Sequence, residues 1–579
     1  MSSFSKTEKI LFWFFVVSAV ISGLAIFSHI NRSYMVSVPA HGGSFTEGIV
    51  GTPRFINPVL AVSDADKDLT SFVYSGLLRA GKNGGLVPDL AEKYELSPDG
   101  LTYAFTLKEK LKWGDGVPIT ADDVKFTIER IQDPNVRSPK KSAWDSVVAA
   151  APDARTVTFT LKKPYAPFLE NTTVGILPKH LWGTLGAEQF SFSSYNTNPV
   201  GSGPYKVDKI SQNKSGIPEY YDLAPFKDFA LGVPFISRVQ IRFYAGEEKL
   251  ISAYKKGEVD AISAISPKNA LDLKAAGARV ESAPLPRTFG VFLNQNEQEI
   301  FTDANVRQAL DKSVDKDRII DSVLFGFGTK INGPLPPGVI GVSKNPFAKT
   351  SAETLTEEER ITAAKNILAK SGWSYNEETK VMEKRAKGGD EKKVKKGKGK
   401  KNARILAFSL STSDAPELRQ IAEMLKQEWE KIGARVELKV FESGDLNQNV
   451  IRPRKYDALL FGEIVGRDPD PYAFWHSSQR FDPGLNIALY ANITSDKLLE
   501  KARSVPNEEK RAEIYRSFEK EVIRDTPAIF LYSPNFIYVL PKDLKGADIS
   551  GMTFPMERFA GIKDWYMETE NIWPVFASN

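Results

Sequence analysis

The sequence predicts an α/β protein of two or more domains behind a single membrane-spanning helix. Three observations carry that prediction. The chain has 579 residues, enough for more than one sizeable core. Residues 10–30 form an uncharged apolar run of the length that crosses roughly 30 Å of hydrocarbon. The remainder alternates between half-buried strands and capped amphipathic helices, with a βαβ unit between residues 404 and 440.

Composition narrows the chemistry. Hydrophobic content of 42%, charged content of 26% and a net charge of +5 are those of an ordinary globular protein. With no cysteine, disulfides, thiolate nucleophiles, thiolate metal sites and a lipid on an N-terminal cysteine are excluded. His29, His41, His180 and His476 lie far apart without i, i+4 pairing, which argues against zinc. No cofactor, metal or nucleic-acid partner is expected.

Lys6 and Lys9 precede the apolar run and Arg32 follows it, so residues 1–9 are read as a cytoplasmic tip and the main domain as extracytoplasmic, on a single-pass cell-membrane protein. A signal peptide cut after Ala40 is the rival. That site lies far beyond the run, and the run exceeds the usual signal core of roughly 7–15 residues. The expectation is an uncleaved anchor, with residues 31–42 as linker.

Residues 44–50 read as a strand. Ser97-Pro98-Asp99-Gly100 has the composition of a type I turn, and beyond it Leu101, Tyr103, Phe105 and Leu107 alternate with polar residues. Thr120 and Asp123 form a capping box that opens a helix with Val124, Ile128 and Ile131 on its core face. No titratable pair in this stretch is placed for catalysis. Val157, Phe159 and Leu161 mark another strand. The glycines of residues 201–203 do not make a phosphate loop, because Pro204 leads into an extended segment rather than a helix. Residues 239–243 alternate as a strand, and 250–257 read as a helix stopped by Gly257 before a strand at 258–262. Asp303 and Asp315 are helix caps. In the βαβ unit a strand at 404–408, a helix bearing Leu418, Ile421, Leu425, Trp429 and Ile432, and a strand with Val436, Leu438 and Val440 imply a parallel pair. The lysine and glycine tract of residues 384–404 is expected to be a disordered basic insertion, either a solvated hairpin extension or a surface for anionic groups.

One run identifies more. Pro88, Leu90, Ala91, Tyr94, Ser97, Asp99, Gly100, Thr102 and Tyr103, then Asp115, Gly116, Pro118, Ile119, Thr120, Ala121, Asp123 and Val124, resemble the signature of the family 5 extracytoplasmic solute-binding proteins of ABC importers, the oligopeptide, dipeptide and nickel receptor group. Gly201-Ser202-Gly203-Pro204-Tyr205 is similar to that family's Gly-Thr-Gly-Pro-Tyr turn. The resemblance spans residues 43–575. It implies a two-lobed periplasmic-binding-protein-like fold of type II, with lobe one at 43–285 and 533–575, an extra subdomain at 79–199, and lobe two at 286–532. It also implies binding of an extended solute, an oligopeptide first, for delivery to ABC importer permease subunits, with no enzymatic activity. The alternative is a receptor on the same fold that is not coupled to transport and works through the basic loop.

The resemblance implies a site as well. The spacing from Pro58 to Gly76 puts Val62, Ser63 and Asp64 on pocket-lining positions, Val62 standing where oligopeptide receptors have glutamate. Residues 456–475 resemble the family strand and loop that meet a peptide main chain in β-like fashion, which implies Phe461, Gly462, Glu463, Ile464, Val465, Arg467, Asp468 and Asp470 as ligand-binding. Peptide receptors in the family place an aspartate for the ligand's ammonium where this chain has Val465, a difference of about 1.5–3 kcal/mol. Glu463, Arg467, Asp468 and Asp470 are the candidates to replace it. Read alone, Asp468 and Asp470 could be a metal or catalytic pair, but the alternating prolines fix no third ligand.

Overall fold

The computed structural model describes residues 5–337, 339, 355–384 and 404–577. In the helix Lys6–Tyr34 the Lys6–Ile30 stretch is long and apolar enough to cross a membrane, and none of its most apolar window is buried in the protein. The expected linker is partly ordered: Val36–Ala40 is a strand paired antiparallel with Glu568–Ile572, Val36 opposite Ile572.

The remaining architecture grows from one long strand, Ala528–Leu540. Its first half pairs with Arg287–Leu293, and its second half pairs with Arg279–Pro284 and Ala261–Ser263. On one side the sheet continues through Gly42–Val50, Ile236–Tyr244, Pro218–Pro225 and Tyr205–Gln212; on the other through Ala458–Ile464, Ala407–Ser413 and Arg435–Phe441. Each half covers a core of its own. One core collects Phe45, Trp113, Tyr221 and Trp565, and the other Val291, Leu310, Trp429 and Leu531. The molecule therefore has two lobes. The chain crosses between them at two adjoining points, where Ser533 Oγ donates to the Leu285 carbonyl at 2.7 Å and the Leu285 N–H donates to the Pro534 carbonyl at 3.1 Å.

Local structure follows the chemistry of the residues. The Ser97–Gly100 turn closes with the Gly100 N–H on the Ser97 carbonyl, and Gly100 takes φ of +70°. The turn joins Ala91–Leu96 to Thr102–Leu107 in a four-stranded antiparallel sheet completed by Thr156–Leu161 and Val147–Ala150, with Tyr103, Phe105, Val157 and Phe159 turned inward. Thr120 and Asp123 cap the helix Ala121–Gln132, whose Val124, Ile128 and Ile131 are buried. The strand expected at 258–262 is shorter, Ala261–Ser263, because Gly257 at φ +71° sends the chain through a turn before it can pair.

In the second lobe Asp303 and Asp315 cap Ala304–Ser313 and Lys316–Ser322. Ala407–Ser413, the helix Pro416–Lys431 and Arg435–Phe441 form the parallel βαβ unit. The basic insertion lies outside the described residues except at its ends, where Lys384 and Arg404 lie opposite each other on paired antiparallel strands.

Candidate functional site

Between the lobes, against the hinge, lies a cavity of about 620 Å³. Its floor comes from the second lobe and the crossing strands. Side chains alternate along a strand, so Arg287 and Phe289 share one face of Arg287–Leu293. Gly462 pairs opposite Phe289, and Ile464 opposite Arg287. The Phe289 ring stacks on Tyr532 with centroids 5.0 Å apart and planes within 6°. A Cβ on Gly462 would lie 2.5 Å from that ring, so glycine is what lets the aromatic platform lie flat. Glu417 and Leu418, at the start of Pro416–Lys431, also line the cavity. Arg287 lines it too, and its Nε is buried without a hydrogen-bond partner. Burial lowers the pKa of the Arg287 guanidinium, against the attraction of Asp64.

The roof belongs to the first lobe. Ser63 caps the helix Asp64–Val73 by accepting from the Asp66 N–H, which places Asp64 on the cavity wall. Asp68, one turn on, is held by Arg558 through contacts of 2.6 and 2.9 Å, and Arg558 also reaches Glu47 at 3.1 Å. Tyr538 donates to Glu47 at 2.6 Å. All of these groups are buried, and burial pushes Glu47 up to about 7 even beside Arg558. Sequence reasoning missed this cluster and Arg287. A glutamate between Phe45 and Ile49 on an inward-facing strand was the available signal for Glu47, whereas its partners Tyr538 and Arg558 lie 491 and 511 residues away.

Of the residues expected at the site, Asp64 lines the cavity, Ser63 is a cap and Val62 is exposed beside them. Gly462 and Ile464 share the floor's face. Phe461, Glu463 and Val465 point the other way, as a period of two requires. Val465 packs among Leu335, Val339, Ile514 and Tyr515. Glu463 is buried with neither carboxylate oxygen hydrogen-bonded, and burial raises its pKa well above the usual range.

The charged residues of the following loop meet protein partners, not this cavity. Arg467 bridges Glu557 at 2.7 Å and Glu170 at 3.1 Å, both in the first lobe. Asp470 pairs with Arg503 at 2.8 Å and accepts from Tyr165 OH at 3.2 Å across the lobes. Asp468 pairs with Arg511 at 2.7 Å and is pushed up to about 6 by burial. The position expected to lack an ammonium partner is thus an apolar packing position, and three of its four candidate replacements serve as ties within or between lobes. Arg467 also borders a second cavity, of about 440 Å³, on the opposite side of the crossing strands. Among the described residues no group of acids and histidines is arranged to hold a metal ion.

Comparison with known proteins agrees with this architecture. Residues 85–482 match the family described as bacterial extracellular solute-binding proteins, family 5 middle. The oligopeptide-binding protein AppA of Bacillus subtilis is 26% identical over 536 residues, covering 91% of this chain and 92% of AppA. The structure of that AppA with a nonapeptide superposes with a TM-score of 0.67 at 24% identity, over 92% of this chain and all of AppA. The ABC transporter substrate-binding protein CtaP of Listeria monocytogenes superposes at 0.74 with 27% identity, over 91% of this chain and 100% of CtaP.

Proposed function

The chain belongs to the family 5 bacterial extracellular solute-binding proteins, the substrate-binding components of ABC importers, and from that premise we propose that it is a membrane-anchored receptor that closes its two lobes on an oligopeptide. It is a binding protein and not an enzyme. The observation that carries the ligand reading is the interlobe cavity, walled by Asp64 of one lobe and floored by Phe289, Tyr532 and Glu417 of the other. An aromatic platform bordered by charged groups of both signs suits an extended chain with a polar backbone and varied side chains. The name of AppA as an oligopeptide-binding protein, at 26% identity over most of both chains, supports the same solute class.

The anchoring reading rests on the strand that follows the helix. Val36–Ala40 begins two residues after Tyr34 and is tied to Glu568–Ile572. A cut after Ala40 would remove this strand and bare its partner's edge. Trp573, Val575 and Phe576 follow that partner with 42%, 74% and 71% of their surface exposed, beside the helix exit, where a bilayer interface favours such side chains. The permease subunits of the importer would then meet a receptor held at the membrane.

The test is native mass spectrometry of the protein extracted from membranes in detergent. A ladder of peptide masses bound to a chain that retains residues 1–40 is the expected result. Co-purification of a non-peptide solute alone would overturn the peptide reading, and an intact mass beginning after Ala40 would overturn the anchor.

A further inference from the structure

One guanidinium in the cleft feels the attraction of Asp64 but has neither an ion pair nor a hydrogen bond among the described residues. Other arginines in and between the lobes have acceptors in the protein: Arg558 pairs with Asp68 and Glu47, Arg467 with Glu557 and Glu170, Arg511 with Asp468 and the partly exposed Arg503 with Asp470, while the buried Arg307 and Arg454 donate to backbone carbonyls. Arg287 is different. Among the described residues it forms no ion pair, and its Nε is buried with nothing to donate to. A second group on the same wall is equally unmet: the Asn535 side-chain oxygen is buried without a donor. Buried polar groups are ordinarily satisfied, and an unmet donor and an unmet acceptor on two residues that line one cavity mark a place where something arrives from outside.

The surroundings specify what arrives. Arg287 stands beside the apolar Phe289 and Tyr532 platform and Leu285. In such surroundings a charge pair is less screened than at the surface. A planar guanidinium matches a carboxylate, two N–H groups to two oxygens. Asp64 and Glu417 border the same cavity, also without ion pairs among the described residues, and suit the positive end of a solute.

We propose that Arg287 is the anion-recognising residue of the cleft, receiving a carboxylate of the solute while Asn535 accepts a neighbouring N–H, so that the site selects a solute bearing both a carboxylate and a positive group. This rests on the cavity being the solute site and narrows the solute within it. The carboxylate of a peptide C-terminus, an acidic side chain and a small organic acid share this chemistry.

The experiment compares the full-length protein in nanodiscs with Arg287→Met and Arg287→Lys. The probes are penta-alanine, its C-terminal amide, a glutamate-containing amidated pentapeptide, and succinate, read by calorimetry and thermal shift. Wild type should bind penta-alanine about ten- to a hundredfold more tightly than the amide, the range of a charge-assisted pair. Arg287→Met should abolish that difference and Arg287→Lys retain part of it. The ligand-free melting temperature of Arg287→Met should not fall, because no protein partner is lost. Recovery of affinity by the glutamate-containing amide in wild type alone assigns the carboxylate to a side chain. If no peptide binds but succinate stabilises wild type and not Arg287→Met, the oligopeptide reading and the requirement for a positive group both fail and the anion site stands. If no carboxylate probe separates wild type from Arg287→Met, or if the variant melts several degrees lower and weakens acid and amide alike, the inference is overturned.

Discussion

Arg467→Met should loosen the closed state. The guanidinium meets Glu170 at 3.1 Å and Glu557 at 2.7 Å, and the three side chains are only 7%, 24% and 14% exposed, so solvent screens the contacts little. Burial pushes Glu170 up to about 7, with Arg467 pulling it down and Glu557 pushing it further up. Without the arginine, two desolvated acids face each other. Each charge-assisted bond contributes about 1.5–3 kcal/mol. Opening the lobes breaks both but rehydrates all three groups, so the net is taken as one bond, about 2 kcal/mol, or about thirtyfold in the ratio of closed to open. Solute affinity should weaken by up to that factor wherever the closed state is the minor one. Because the chain has no cysteine, Phe192→Cys and Ile493→Cys, at positions 88% and 72% exposed in the two lobes, accept spin labels cleanly. The variant should shift the interlobe distance distribution toward the longer population. A cycle with Glu170→Gln should return a coupling above about 1 kcal/mol. Unchanged distances, unchanged affinity and a coupling near zero would refute the assignment of Arg467 as an interlobe tie.

Glu463→Gln should change how stability depends on pH. Burial raises the Glu463 pKa in the folded state, so that state keeps a proton which the unfolded chain releases above its ordinary value near 4.5. The resulting stability is full below that value and is lost as pH rises toward the folded one, at up to about 1.4 kcal/mol per pH unit. Urea titrations from pH 4 to pH 8 should therefore show wild type falling relative to the glutamine variant, and parallel curves would count against a buried, unpaired carboxylate. Gly462→Ala drives a methyl group into the Phe289 ring and should cost about 1–3 kcal/mol by urea titration. Phe289→Leu in the same chain should relieve most of that cost, and a tolerated single substitution would show that the platform is not tightly packed.

Much of the fold could be read locally. The Ser97–Gly100 turn, the Thr120 and Asp123 capping box, and the inward Val157, Phe159 and Leu161 depend on neighbours a few residues away, and their geometry is as expected. The run from Pro88 to Val124 led to the family because it combines such local determinants over a long stretch. The site was harder to read. Strand geometry makes Phe461, Glu463 and Val465 share a face, but which face looks into the cleft depends on the Arg287–Leu293 strand beside them. The linker expected at 31–42 holds a strand because its partner lies near the other end of the chain.

The sequence by itself determined the α/β class, the apolar N-terminal helix, the caps and turns, and the family, since each is set by periodicity, composition or short-range hydrogen bonding. Tertiary structure alone decided that Arg467 and Asp470 tie the lobes together, that Glu47, Asp68 and Arg558 close a buried cluster, and that Arg287 stands without a partner. The physical reason is the same in each case. The role of a charged side chain is fixed by what desolvates it and what charge meets it, and in this fold both are supplied by chain segments from tens to hundreds of residues distant.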